Sequence, residues 1–156
     1  MLRRLAFLAL AVTVTLLGSI GTGQAQRPEF ARDTVTIETQ RGGVFEFDVE
    51  LALTRGEQAF GLMFVEEMPQ SQGMLFVFES EAPRSFWMRN TLIPLDMIFI
   101  RADGTIANII ARAEPQTETS RPSDGPVLGV LEINGGLSAL LGIGPGDRVV
   151  HAAFGE

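Results

Sequence analysis

The chain contains no cysteine, no lysine and no tyrosine, and it has one histidine and one tryptophan. Without cysteine it can form neither a disulfide framework nor a lipidated N-terminal cysteine. Without lysine it can form neither a Schiff base nor the phosphate-binding lysine of a Walker loop. Since a single histidine, His151, leaves a zinc or copper site without its usual ligands, we expect His151 to be structural and predict no metal and no cofactor.

The N-terminus has the pattern of a secretory signal peptide. Two arginines precede an uncharged apolar run over residues 5–17, which is shorter than the ~20 residues that a membrane-spanning helix needs. Small residues, Gly23 and Ala25, then stand at the two positions that specify cleavage. We therefore expect residues 1–25 to be removed after Ala25, leaving a periplasmic or secreted protein without a membrane anchor.

The remaining chain is strongly acidic. Loss of Arg3 and Arg4 with the signal peptide leaves ten arginines against nineteen acidic residues, a net charge of −9. Nucleic acid and anionic membrane surfaces are unsuitable partners for such a protein, which leaves an unknown small molecule or a periplasmic protein. About 130 residues suffice for one core, so we expect a polar lead over residues 26–33 and a single β domain over residues 34–156.

Period-two alternation of apolar residues dominates this domain. It is plainest from Val44 to Leu53, where every second side chain is apolar and acidic residues stand between them. Thr54 and Glu57 have the spacing of a helical capping box. In all we predict eight strands, over residues 34–39, 44–53, 74–78, 85–90, 95–100, 105–112, 127–133 and 149–154, and two short helices, over residues 55–64 and 137–141.

The order of these elements predicts the fold class. Strands and helices do not alternate regularly, and crossover helices for a parallel sheet are missing. We therefore expect a mainly β protein, an antiparallel β sandwich or open barrel of about eight short strands with two short helices. The strands over residues 85–90 and 95–100 are candidates for a hairpin. Residues 114–126 are polar, contain three prolines and predict the longest loop of the domain.

The most unusual composition lies between Ser85 and Asp96. It holds the only tryptophan, followed by polar side chains and then by a carboxylate that begins an apolar run. Asp96 has apolar neighbours in sequence, so its charge should lose hydration and require donors, of which Arg89, Asn90 and Thr91 are the nearest. The candidate ligand-binding residues are Trp87, Arg89, Asn90, Thr91 and Asp96.

Two interpretations of this cluster remain open. In one, Asp96 accepts hydrogen bonds from the turn at Asn90 and Thr91 and is purely structural. In the other, the cluster lines a concave pocket in which an aromatic platform and a few polar groups orient a ligand.

Glu132 also lies at the end of an apolar strand. It could pair with Asp96 as the two carboxylates of a hydrolase.

Several segments together resemble one known family. They are Gly61-Leu62-Met63, Gly73-Met74-Leu75-Phe76-Val77-Phe78, Phe86-Trp87-Met88-Arg89-Asn90-Thr91 with Pro94-Leu95-Asp96, Val130-Leu131-Glu132 with Gly135-Gly136, and Gly144-Pro145-Gly146-Asp147. In this order and spacing the chain resembles the bacterial and archaeal family called domain of unknown function 192, over about residues 34–154. The resemblance implies a compact β domain, often secreted, with a shared site at these segments, and it implies no reaction.

Three functions follow from these observations. We favour a periplasmic ligand-binding or accessory module, because an aromatic and polar cluster without an assembled catalytic set suits recognition. The alternative is a metal-independent hydrolase that uses Asp96 and Glu132 as weakly supported catalytic residues. The second alternative is a structural or partner-docking protein, which predicts an exposed apolar patch instead of a cavity. Whether the protein is an enzyme stays open at this level.

Overall fold

The computed structural model describes residues 27–155, so the predicted signal peptide, residues 1–25, lies outside the described residues. The described chain is mainly β, with seven strands and two short helices. The strands are β1 Ala31–Glu38, β2 Val44–Ala52, β3 Gln72–Phe86, β4 Leu95–Ile100, β5 Ile106–Ala113, β6 Arg121–Asn134 and β7 Arg148–Val150, and the helices are α1 Arg55–Phe60 and α2 Leu137–Leu141. No helix within residues 27–155 combines the length and apolarity needed to cross a membrane.

All seven strands form one sheet in the order β5-β4-β6-β3-β2-β1-β7, curled into a half-barrel. Its two ends approach each other where Thr105, just before β5, bridges Arg148 of β7. The β4–β5 hairpin turns at Asp103 and Gly104 as the sequence predicts, with the Asp103 carboxylate accepting a hydrogen bond from the Thr105 backbone N–H at 2.8 Å.

The sheet buries apolar side chains on both faces. We call the face enclosed by the curl the closed face; every strand contributes to it, for example Val35, Phe47, Leu75, Ile98, Ile106, Leu131 and Val149. We call the opposite face the groove face; it carries Met74, Phe76, Leu95, Met97, Phe99 and Val130 and is partly covered by Leu62 and Met88. The alternation predicted for β2 is confirmed, because Phe45, Phe47, Val49 and Leu51 all pack on the closed face.

The predicted count of eight strands is wrong, because β3 is one strand of 15 residues. Its second half, after an irregularity between Val77 and Ala82, pairs with the first half of β6. Residues 121–126, which the sequence predicted as loop, are therefore strand, and only 114–120 remain outside regular structure. Proline is tolerated here because β-bulges and edge positions leave backbone groups without ladder partners.

Two pairing predictions also fail. Residues 85–90 do not form a hairpin with 95–100, since β4 pairs with β5 and β6. The sheet is not wholly antiparallel either, because β2 and β3 are parallel and α1 lies in the connection that crosses between them. The capping box at α1 is confirmed: the Glu57 backbone N–H donates to the Thr54 hydroxyl, and the Glu57 carboxylate accepts from the Thr54 backbone N–H at 2.8 Å.

Both helices and the last strand form at the predicted places, but α1 and the last strand are shorter than predicted. Helix α2 has the predicted bounds and ends at Gly142, whose φ of 70° is readily adopted by glycine. Helix α1 is shorter than predicted because the chain leaves the helical path at Gly61. The last strand ends at Val150, and His151 follows it, with its Nδ1 accepting a hydrogen bond from the Ala153 backbone N–H.

Candidate functional site

A groove of about 670 Å³ lies on the groove face, between α1, the second half of β3 and the turn that follows β3. Five aromatic side chains line it: Phe60, Phe76, Phe78, Phe86 and Trp87. Its charged lining residues are Arg84, Arg89, Glu118 and Glu132. The volume lies within the ~300–1,000 Å³ typical of small-molecule sites, and apolar walls with few polar groups are their usual composition.

The aromatic walls are fixed by edge-to-face packing. The centre of the Phe86 ring lies 4.9 Å from the centre of the Phe76 ring and 6.1 Å from that of the Phe99 ring, with interplanar angles near 90° in both pairs. This packing folds the end of β3 back over the sheet and forms one wall of the groove. Trp87, the next residue, is half exposed, so its ring is available to a bound molecule.

The turn over residues 87–91 is held from both sides. The Met88 backbone N–H donates to the Thr117 carbonyl at 2.8 Å, and the Gln116 N–H donates to the Thr91 carbonyl at 3.1 Å. On the other side the Phe64 N–H donates to the Asn90 carbonyl at 2.9 Å. The completely buried Met88 side chain anchors the turn in the core.

Three residues at these attachment points have left-handed backbone conformations. Phe64, Asn90 and Gln116 have φ values of 63°, 55° and 57°. Such conformations are uncommon for residues other than glycine and cost most for bulky ones such as phenylalanine. Backbone strain of this kind clusters at functional sites, so its concentration around the turn supports a site there.

Arg121 organises the segment 114–120, which closes one end of the groove. Its buried guanidinium donates to the Thr119 carbonyl at 2.8 Å and to the Thr117 hydroxyl at 2.7 Å. The backbone at Thr117 in turn accepts from Met88. Sequence reasoning missed Arg121, because an arginine within a polar, proline-containing stretch gives no sign that it is buried.

Glu132 is the one buried acidic side chain that lines the groove. It is 4% exposed, and its neighbours across the sheet are Met74 on β3 and Met97 on β4. Its carboxyl group has no hydrogen-bond partner within residues 27–155. Burial raises the pKa of Glu132 from 4.5 to about 8, so the group is mostly protonated at neutral pH.

Asp96 lies on the closed face, away from the groove. It is completely buried and accepts hydrogen bonds from the backbone N–H groups of Arg112 and Gly136, each at 2.7 Å. Ser138 at the start of α2 donates both its backbone N–H, at 2.9 Å, and its hydroxyl, at 2.5 Å. The donors predicted from sequence, Arg89, Asn90 and Thr91, are therefore wrong, and Asp96 joins β5 to the turn before α2.

The structure brings three of the five predicted binding residues to the groove. Trp87, Arg89 and Thr91 line it, whereas Asp96 does not. Asn90 turns its amide towards the Met63 sulfur, at 3.7 Å, and does not line the groove. The Arg89 guanidinium lies 5.8 Å from the centre of the Trp87 ring, a cation–π contact at the edge of the site.

The two carboxylates proposed as a catalytic pair face opposite sides of the sheet. Asp96 is paired with Ile133 and Glu132 with Met97, so the alternation of side chains along β4 and β6 separates them. They share no cavity. Within residues 27–155 no three histidine, aspartate or glutamate side chains gather as metal ligands, and the expectation that no metal binds stays a prediction.

The fold and this segment order define a small β domain of a known family. The family model DUF192, described as "Uncharacterized ACR", matches residues 36–151, and the chain belongs to this family. Among curated proteins none matches the chain.

Solved structures similar to the chain include two bacterial proteins. One, from Sinorhizobium meliloti 1021 and described as a "putative transcription regulator", is 40% identical, with a TM-score of 0.79 over 81% of this chain and 98% of that one. The other, a protein of unknown function from Novosphingobium aromaticivorans DSM 12444, is 43% identical, with a TM-score of 0.76 over 92% of this chain and 94% of that one.

Proposed function

We propose that the protein is a periplasmic ligand-binding or accessory module and that the groove is its binding site. The observation that carries this proposal is Glu132, a buried carboxyl group without a protein partner, in the wall of an aromatic groove. No protein group within residues 27–155 forms a hydrogen bond with this carboxyl group, so a molecule in the groove could pair with it. Trp87, Arg89 and Thr91 complete the proposed site.

The composition of the groove favours a small molecule over a macromolecule. Aromatic rings provide apolar contact, and four charged side chains provide a few orienting groups. Nucleic acid is not part of the proposal, although one similar structure is described as a "putative transcription regulator". The chain has a net charge of −7, which opposes binding to phosphates.

A hydrolase that uses Asp96 and Glu132 as a catalytic pair is excluded, because the two residues lie on opposite faces of the sheet. Glu132 alone has a pKa that would suit a general acid or base, and this is the remaining support for an enzyme. A docking protein is favoured by two exposed aromatic side chains, Phe64 and Trp87, of which Trp87 also lines the groove. We therefore keep ligand binding as the main proposal.

The proposal can be tested on protein purified from the periplasm of an expressing bacterium. Intact-mass measurement should give a chain that begins at Gln26, and native mass spectrometry should detect a bound small molecule. The variant Arg89→Gln, at the groove, should lose that molecule. The matched control Arg101→Gln, on an exposed residue outside the groove, should keep it.

Trp87 provides a second readout, since it is the only tryptophan and the chain has no tyrosine. Its fluorescence reports the edge of the groove directly, and ligand binding should change its intensity or emission maximum. Full-length protein recovered from membranes would contradict the periplasmic location. A protein that carries no small molecule, and whose Trp87 emission responds to none of the compounds offered, would contradict the binding proposal.

A further inference from the structure

Two polar groups of residues that line the groove have no hydrogen-bond partner within residues 27–155, and at neutral pH both are donors. One is the Glu132 carboxyl, which burial keeps protonated. The other is the Nε–H of Arg84, a buried atom without an acceptor within residues 27–155. The rest of the Arg84 guanidinium is engaged, since it lies 4.0 Å from the centre of the Phe78 ring and donates to the Ser80 carbonyl at 2.8 Å.

The charge of the groove is opposite in sign to that of the chain. With Glu132 protonated, its lining has two permanent positive charges, Arg84 and Arg89, and one negative charge, Glu118. Glu118 and Arg89 are only loosely paired, at 3.9 Å, and both are more than half exposed. The chain as a whole has a net charge of −7, so the groove is a locally positive site on an acidic protein.

We propose that the groove binds an amphipathic organic anion, a carboxylate with an aromatic or aliphatic body. This inference rests on the proposed function and specifies its ligand. The apolar body would lie against the phenylalanine rings and Trp87, and the arginines would attract the carboxylate. The Glu132 O–H would donate a hydrogen bond to an oxygen of the ligand. Unpaired donors and a positive lining both favour an acceptor that bears negative charge.

A cationic ligand is the main competitor, because aromatic rings and a carboxylate also bind amines. An amine would ionise Glu132 and gain from it, but it would meet the repulsion of both arginines. The two ligand classes therefore differ in their response to pH. Above the pKa of Glu132, about 8, the group becomes negative, which weakens binding of an anion and strengthens binding of a cation.

The other charged groups near Glu132 do not obscure this response. Across β3, in the same cross-strand row, lies Glu50, which Arg27 holds in a two-point ion pair. On α1, Glu57 caps its own helix. His151, the only histidine, lies beside Asp33 on the far side of the sheet, at 3.2 Å, and does not line the groove.

The test measures binding of three small probes of similar shape, phenylacetate, phenethylamine and phenylethanol, by calorimetry and Trp87 fluorescence. Phenylacetate should bind best at about pH 6.5. If only protonated Glu132 donates to it, affinity should fall about thirtyfold by about pH 9.5, because each pH unit above the pKa removes about nine tenths of the protonated form. Arg84→Gln should weaken phenylacetate about tenfold and leave phenylethanol unchanged.

The informative variant is Glu132→Gln, which keeps a neutral donor at every pH and has almost the same shape. It should bind phenylacetate at about pH 6.5 and show no loss at about pH 9.5. The control Glu46→Gln, on an exposed residue of β2, should retain the full pH dependence.

The outcomes separate this inference from the proposed function. Tighter binding of phenethylamine, or equal binding of all three probes, would overturn the anion inference while the groove remained a binding site. A pH dependence that persisted in Glu132→Gln would also overturn it. If none of the probes bound and Trp87 emission never changed, while the protein from the periplasm also carried no small molecule, the proposed function itself would fail.

Discussion

Each face of the sheet buries a carboxyl group, and the two groups differ in the hydrogen bonds that they accept. On the closed face Asp96 accepts four hydrogen bonds, three of them from backbone N–H groups. On the groove face Glu132 accepts none within residues 27–155 and is kept neutral by burial. A carboxylate surrounded by donors stabilises a fold, whereas an unpaired carboxyl group destabilises it. The carboxylate on the closed face therefore stabilises the fold, whereas the carboxyl group on the groove face belongs to the proposed binding site.

The largest effect should come from Asp96→Ala. The change would leave three buried backbone N–H groups, those of Arg112, Gly136 and Ser138, without an acceptor. At about 1–3 kcal/mol for each of the three unpaired groups, we expect a loss of about 6 kcal/mol in the free energy of unfolding. Urea denaturation measures this. The control Asp124→Ala, at an exposed residue, should change stability by less than about 0.5 kcal/mol. An equal loss in both variants would contradict the stabilising role of Asp96.

The next largest effect is a pH-dependent gain in stability, which we expect for Glu132→Gln on the groove face. The pKa of Glu132 is higher in the folded protein, about 8, than its ordinary value of 4.5. The folded state therefore holds a proton that the unfolded state has lost between these values, and wild-type stability should fall as pH rises from 4.5 to 8. Glutamine does not titrate, so the variant should be more stable above pH 8 by up to about 5 kcal/mol. Thermal unfolding across this range checks it, and parallel curves for both proteins would refute it.

The smallest effect should come from Trp87→Ala. The ring is half exposed, and its contact with Arg89 lies at the protein surface, so we expect a loss of less than about 1 kcal/mol. The adjacent Phe86→Ala should cost about 3 kcal/mol, since Phe86 packs edge-to-face on Phe76 and Phe99. Thermal unfolding of both variants measures the difference between the two losses in stability. Similar losses would mean that Trp87 is part of the core and not an available surface.

The sequence predicts those parts of the fold whose signals are local. The alternation in β2 identifies its buried face, and the capping residues Thr54 and Glu57 locate the start of α1. The bounds of α2 follow from the glycines on either side of it. The second half of β3 could not be predicted, because its residues between Glu79 and Arg84 are mostly polar and the strand is defined by pairing with β6.

The candidate site is predicted only in part, for the same physical reason. The unusual composition of their segment identifies Trp87, Arg89 and Thr91, and these three residues line the groove. The burial of Asp96 follows from its apolar neighbours, but its donors lie 16 to 42 residues away and leave no local signal. The sequence does not identify Arg84 and Phe86 as groove residues, since the folding of β3 back over the sheet depends on tertiary contacts.

The contact between β1 and β7 has a consequence for the order of folding. Thr36 pairs with Val150, so the last strand joins the sheet across more than a hundred residues of chain. Loop closure over such a distance is slow compared with the formation of a hairpin such as β4–β5. The curl therefore cannot close until residues 148–150 are available.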